Sequence, residues 1–254
     1  MSASLYAKLP YVTAVIGAGS GIGRAACEHL AEHGVTVLAI DRDEVGAKQT
    51  AANIIKAGGK AVAMRAEATD DAEIRAALAQ AQKQHGQLHA MVNCAAITGK
   101  TNVKAHEVDL ADFDNVYKIN LRAALVLSQA VLPGMLAHGY GRILHIASIA
   151  GKDGNAGMAA YSATKAGLIG LVKTMGKDYA LNGITVNALA PAVIRTPMVA
   201  ALPNATVDYM TAKIPMNRCG TLDEAAAMIA WIISPGCSFT TGFTFDLTGG
   251  RATY

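Results

Sequence analysis

The sequence predicts an α/β fold: a single domain built on a doubly wound parallel sheet of seven strands with helices on both faces. Three observations carry this. Short aliphatic runs alternate with longer helical patterns from one end of the chain to the other. The composition is 52% hydrophobic but only 5% aromatic, with 25 glycines, which suits aliphatic parallel strands and closely packed Ala/Gly helices better than a β-sandwich. The first aliphatic run ends in a glycine cluster that opens a helical pattern. The 254 residues can bury one ample core, and no repeat, low-complexity tract or linker divides them.

Taken in order, Tyr11-Val12-Thr13-Ala14-Val15-Ile16 makes a first strand near 11–17, and the glycines after it lead into a helix near 21–33. Apolar runs place further strands near 35–40, 60–66 and 88–93, with 3.6-period patterns between and after them near 44–57, 70–85 and 105–118. A helix near 120–138 precedes the run Ile143-Leu144-His145-Ile146-Ala147 in a strand near 141–148. A long helix near 157–181, a strand near 183–190, a helix near 222–234 and a last strand near 242–247 complete the series. Such alternation implies right-handed crossovers and a parallel, Rossmann-like sheet covered on both faces. The stretch 191–220, with Pro191, Pro197, Pro203 and Pro215, has no clear period. A long irregular insert after a strand in a regular sheet protein reads as a substrate loop.

Several classes are set aside. The formal net charge is +3 and no Lys/Arg stripe forms, so nothing points to nucleic acid, while small anionic ligands stay open. Cys27, Cys94, Cys219 and Cys237 lack the spacing of a zinc site or a disulfide framework and read as buried thiols of a reducing compartment. The N-terminus has Lys8 and then an apolar run too short for a signal segment. No uninterrupted apolar stretch approaches about twenty residues, so no membrane span is expected and the cytoplasm is the default.

The chemistry concentrates in two motifs. In Gly17-Ala18-Gly19-Ser20-Gly21-Ile22-Gly23 the glycines permit a tight turn and close backbone approach, so the free N–H groups of the following helix can face a pyrophosphate. Asp41, at the end of the second strand, can accept hydrogen bonds from an adenosine ribose and repel a 2′-phosphate. This favours NAD; the neighbouring Arg42, able to stack on adenine or meet a phosphate, keeps NADP open. In the second motif Ser148 closes the fifth strand, and Tyr161 and Lys165 follow one helical turn apart on one face. An ammonium one turn from a phenol favours its phenolate and tunes it as an acid/base, and Ser148 can hold a carbonyl or alkoxide oxygen beside it.

With these motifs in order, the chain resembles the classical branch of the short-chain dehydrogenase/reductase family along essentially its whole length. The matches are the GxxxGxG turn at Gly17, Gly21 and Gly23, then Asn93-Cys94-Ala95-Ala96, Asn120 in Lys118-Ile119-Asn120, Ser148, and Tyr161-Ser162-Ala163-Thr164-Lys165. Asn187-Ala188-Leu189-Ala190-Pro191 ahead of Ile194-Arg195-Thr196, and Asp246-Leu247-Thr248-Gly249-Gly250, extend them. The resemblance implies a cofactor-binding part over about 11–95 and a catalytic and substrate part over about 105–254. Its implied cofactor contacts are Gly17, Ser20, Gly21, Ile22, Gly23, Asp41, Arg42, Glu67, Ala68, Asn93, Ala95, Tyr161, Lys165, Pro191, Ile194 and Thr196. It gives Tyr161 the general acid/base role. Lys165 lowers the Tyr161 pKa and holds the nicotinamide ribose, Ser148 positions substrate, and Asn120 supports a water relay to Lys165. Glu67 falls where the family often has an Asp near the adenine, or is a solvated loop acid. Departures are Ile16 for the usual Thr, Cys94 and Ala96 for Asn and Gly, and Ala192 for the Gly after Pro191.

The reaction implied is reversible hydride transfer between a nicotinamide and a secondary alcohol or ketone. Lys152, Asp153 and Asn155 make the segment between Ser148 and Tyr161 polar, unlike a pocket for lipid. Arg251 in the tail Arg251-Ala252-Thr253-Tyr254 can meet a carboxylate, unless the tail is a frayed end. Ser148, Lys152, Asn155, Tyr161 and Arg251 are therefore the candidate substrate contacts, and a small sugar, polyol or sugar acid is favoured. The alternatives are a 3-oxoacyl-thioester reductase and, from another class, a catalytically silent dinucleotide sensor or scaffold. His145 reads as a hydrogen-bonded structural histidine; His29, His33, His85 and His138 sit at helix ends, where they help cap carbonyls. Met198, Met210 and Met216 read either as an apolar lid or as loop filler. Few charges on the helices 120–138 and 157–181, more apolar surface than one buried face needs, suggest the homotetramer common among family members.

Overall fold

The structure, a computed structural model, describes Tyr6, residues 11–201 and residues 203–252. Lys8, Thr253, Tyr254 and the side chain of Met198 lie outside the described residues. The seven strands are β1 (Val12–Ile16), β2 (Thr36–Asp41), β3 (Lys60–Arg65), β4 (Ala90–Asn93), β5 (Gly141–Ile146), β6 (Ile184–Pro191) and β7 (Thr244–Leu247). They form one sheet in the order β3-β2-β1-β4-β5-β6-β7, and every pair is parallel. The sheet order reverses direction between β1 and β4, and a crevice opens beyond the strand C-termini at that point.

The helices are α1 (Gly21–Glu32), α2 (Glu44–Lys56), α3 (Asp71–His85), α4 (Leu110–Tyr117), α5 (Ala123–His138), α6 (Ala150–Asp153), α7 (Ala159–Asp178), α8 (Pro197–Ala200), α9 (Asn204–Thr211) and α10 (Leu222–Ile232). Alternation along β1 sorts them into two layers. Val12, Ala14 and Ile16 face a core with Ile74 and Leu78 of α3, Leu127 of α5 and Val172 of α7. Val15 faces the other core, with Leu30 of α1, Ile54 of α2 and Ile229 of α10.

Four elements differ from the sequence expectation. The helix expected near 105–118 is a short 3-10 turn, Ala105–Glu107, followed by α4, and α4 continues into α5 through a π-turn over Lys118–Arg122. The helix α6 was not expected, because four residues are too few for a period to register. The irregular stretch 191–220 holds α8 and α9. Finally, the continuous helical run Leu110–His138 contains an 18-residue window of mean hydropathy 1.4 and by length and composition alone could cross a membrane, a run the sequence reading did not single out. Half of its apolar window is buried inside the protein, where Ala123, Leu127, Val131 and Met135 belong to the core, so its apolarity is that of a packed helix.

Candidate active site

The glycine turn after β1 shows why Gly is required. A Cβ on Gly23 would lie 2.0 Å from the Gly17 carbonyl oxygen, and one on Gly17, at φ +80°, would lie 2.9 Å from Ala95 N. The turn thus seats the start of α1 against the end of β4. Ser20, at the helix N-cap, does not spend its hydroxyl on capping. The carboxylate of Asp41 accepts the Gly19 N–H at 2.7 Å and the Asp43 N–H at 2.8 Å, which fixes its direction at the end of β2.

A cleft of about 450 Å³ runs across this edge. Of the expected cofactor contacts, Gly17, Ser20, Gly21, Ile22, Gly23, Asp41, Arg42, Glu67, Ala68, Ala95 and Thr196 line it. Glu67 also accepts hydrogen bonds from the Thr69 N–H and hydroxyl, both at 3.1 Å. Asn93, Pro191 and Ile194 stand behind the wall instead of in it. Asn93 is buried and accepts the Ala95 N–H at 3.1 Å, Pro191 accepts the Ile149 N–H, and Ile194 is buried and bridges to Gly220. Sequence reasoning missed Ala66, Cys94, Ala96, Ile97, Ile119, Ile146 and Pro197, which line the cleft as small or apolar wall and carry no polar signature. Burial pushes the Cys94 thiol up to about 12.

Beyond the cleft, β5 delivers Ser148 and α7 presents Tyr161 and Lys165 on one face. The Tyr161 hydroxyl shares a hydrogen bond with Ser148. Lys165 is fully buried; its ammonium donates to the Ile146 carbonyl at 2.6 Å and lies 5.7 Å from the Tyr161 ring centre. Burial brings the Lys165 pKa down to about 8. In this state burial holds Tyr161 above the usual phenol value, opposed by the Ser148 hydrogen bond, while the Lys165 ammonium is turned to a backbone carbonyl. Asn120 sits in the π-turn, a deformation frequent at functional sites. Its side chain exchanges two 2.9 Å hydrogen bonds with the backbone of Ile97 and donates to Thr164 at 3.3 Å, so it ties the β4 loop to α7 and does not itself reach Lys165.

The polar segment after Ser148 is held by the C-terminal end. Lys152 donates to both carboxylate oxygens of Asp246, at 3.0 and 2.8 Å. Arg251 donates to Asn155 at 2.9 Å and stands 3.4 Å from the Asp153 carboxylate, with only 13% of its side chain exposed. Up to Ala252 the tail is packed, so Arg251 is no part of a frayed end. A second cavity of about 420 Å³, lined by Met216, Arg218, Glu224, Asp246 and Gly249 among others, lies between the 191–220 segment and the chain end.

A family model described as Enoyl-(Acyl carrier protein) reductase matches residues 17–251. The chain is 40% identical over 240 residues to 2-dehydro-3-deoxy-L-rhamnonate dehydrogenase (NAD(+)) of Sphingomonas sp. (strain SKA58), covering 94% of both chains. The chain belongs to the short-chain dehydrogenase/reductase family. Other members similar to it are 3-oxoacyl-[acyl-carrier-protein] reductase FabG of Escherichia coli (strain K12), 36% identical over 94% of this chain and 96% of that one, and (3R)-3-hydroxyacyl-CoA dehydrogenase of Homo sapiens, 35% identical over 93% of each. The solved structure of gox2181 superposes with a TM-score of 0.93 over 98% of this chain and 97% of the other, at 28% identity. As a member of the family the chain is an NAD(P)-dependent oxidoreductase of alcohol and ketone groups.

Proposed function

We propose that the protein is an NAD-dependent dehydrogenase of a small polar hydroxy acid or its keto form, a sugar acid being the favoured class. The observation that carries the cofactor reading is Asp41, a carboxylate fixed by two backbone N–H groups at the end of a cleft whose glycine turn leaves no room for a Cβ. A carboxylate there would accept the ribose hydroxyls and repel a 2′-phosphate, and Arg42 beside it would border the adenine. Ser20, Gly21, Ile22 and Thr196 would border the phosphates, and Tyr161 and Lys165 the nicotinamide ribose.

A bound nicotinamide supplies or accepts the hydride. The residues of the chain handle the proton: Ser148 holds the substrate oxygen, and Tyr161 gives that oxygen its proton in reduction or takes it in oxidation. A phenol holds its proton at neutral pH, as the reductive direction needs, and burial raises the Tyr161 pKa further. Oxidation needs the phenolate, and the buried Lys165 charge one turn away stabilises it there. Asn120 holds the π-turn against the loop after β4.

The polar cluster of Lys152, Asp153, Asn155 and Arg251 in the segment after Ser148 and at the chain end supports a hydrophilic substrate, as does the similarity to a sugar-acid dehydrogenase. The second reading, a 3-oxoacyl-thioester reductase, is favoured by the similarity to FabG. Initial rates of oxidation of aldonates and polyols with NAD and NADP, and of reduction of 3-oxoacyl thioesters with NADH and NADPH, decide between them. We expect an aldonate with NAD to give the highest kcat/KM; a thioester with NADPH in that place would overturn the reading. Tyr161→Phe should bind NAD normally and lose at least about a hundredfold in turnover. The assembly reading is a homotetramer working in the cytoplasm, a setting in keeping with four free cysteines.

A further inference from the structure

We propose that Thr50 and Arg24 form a clamp behind the glycine turn that sets both the affinity for the dinucleotide and the choice of NAD over NADP. Ile16 brings no hydroxyl to this turn, so its carbonyls must find donors elsewhere. Thr50, fully buried in α2, donates its hydroxyl proton to the Ala18 carbonyl at 2.8 Å and accepts from Arg24 Nε at 3.2 Å. The Arg24 Nη2 donates in turn to the Gly19 carbonyl. Two successive carbonyls of the turn are thus held from behind. The Ala18–Gly19 peptide, whose carbonyl Thr50 holds, turns its N–H to Asp41 Oδ2 at 2.7 Å. Fixing the Gly19 residue therefore fixes the carboxylate that would read the ribose.

Gly46 closes the clamp one helical turn before Thr50. A Cβ there would lie 2.9 Å from the Gly19 carbonyl oxygen and 3.0 Å from its Cα. The first turn of α2 thus lies directly against Gly19. Neither Thr50 nor Gly46 lines the cleft, so both are positioning residues acting through Gly19 and Asp41.

The proposal rests on the dinucleotide reading of the cleft, and one set of titrations separates the two. Equilibrium binding of NAD and of NADP is measured calorimetrically for the wild type, Thr50→Val, Thr50→Ser and Gly46→Ala, with melting temperatures alongside. Thr50→Val keeps the shape and removes the hydroxyl; its Kd for NAD should rise about five- to tenfold, the size of one lost hydrogen bond. The ratio of NADP to NAD dissociation constants should fall with it. Thr50→Ser should bind within about twofold of wild type. Gly46→Ala favours the helix by propensity, yet should weaken NAD binding because the methyl group displaces Gly19. Unchanged Kd values and selectivity in both Thr50→Val and Gly46→Ala would overturn the clamp, whatever the melting temperatures do. A wild type that binds neither dinucleotide would overturn the cleft reading and the clamp together.

Discussion

His145 lies three residues before Ser148 in a strand that is buried along its whole length. Its Nε2 is 3.0 Å from the Ser128 hydroxyl, which itself donates to the Ala124 carbonyl at 2.8 Å, so the imidazole must donate from Nε2. Nδ1 then accepts from Asn93 Nδ2 at 3.3 Å. This neutral tautomer links α5, β5 and the end of β4, and gives the ring a structural role of the kind read from sequence. Burial, reinforced by the nearby Lys165 charge, brings the His145 pKa down to about 3 from 6.5. A folded pKa below the unfolded one means that the stability contribution is complete above pH 6.5 and is lost as pH falls from there toward 3. Relative to His145→Asn, which cannot titrate, the wild type should therefore lose about 2 kcal/mol on going from pH 7 to pH 5. Urea unfolding of both proteins across that range checks it, and a difference that stays flat with pH would refute the burial argument. The placement of single residues was legible where a motif ties them to the chain's own geometry, as for Asp41 at the end of β2 and Tyr161 on α7. They were not legible where their duty depends on a neighbour distant in sequence. Lys165 was expected to face Tyr161 because they share a helix face, but the Ile146 carbonyl from β5 offers its buried ammonium a 2.6 Å acceptor. No spacing within α7 could have revealed that strand end.

Among the elements, the ones the sequence failed to resolve all follow β4. The π-turn between α4 and α5 keeps helical hydrophobicity running through it, so no boundary signal exists where Asn120 sits. The helix α6 is too short for periodicity, and the prolines of 191–220 mark turns but hide α8 and α9. The polar residues of this region were readable as polar, but their pairing was not. Lys152 is matched by Asp246 and Arg251 by Asp153, so this cluster carries balanced charge. This changes what removing Arg251 does. In Arg251→Ala the Asp153 carboxylate loses its cation and repels an anionic substrate in addition to the loss of a donor. The Michaelis constant for an aldonate should rise about tenfold or more while a neutral polyol is spared, and Asp153→Asn in the same background should recover part of the loss. Equal losses for acid and neutral substrates, with a change in oligomer mass, would make the tail an assembly element.

At the scale of the molecule, the parallel sheet was legible because the five inner strands β2, β1, β4, β5 and β6 are largely apolar and buried, with only the edge strands β3 and β7 partly exposed, and each crossover carries a helix of normal length. What the runs could not convey is which apolar residues stay outside after both layers have packed. Leu110, Tyr117, Leu125 and Leu136 remain exposed on the α4–α5 side. At the other end of the sheet β7 is an edge strand, and Phe243, just before it, is 52% exposed and packs edge-on to Phe245. Trp231 of α10 packs on Phe245 from the other side, and Phe239 is fully exposed. Two separate apolar surfaces on one chain are what a tetramer of dihedral symmetry requires, each being self-complementary. The proposed homotetramer then makes a specific demand on the β7 side. Introducing charge there, in the double variant Phe239→Lys with Phe243→Lys, should halve the mass seen by sedimentation while leaving NAD binding and the far-ultraviolet dichroism unchanged. Trp231, the single tryptophan, reports the same event: its emission should shift to longer wavelength and become more accessible to acrylamide as the interface opens. A variant with wild-type mass and emission would mean that the aromatic edge faces solvent in the native assembly.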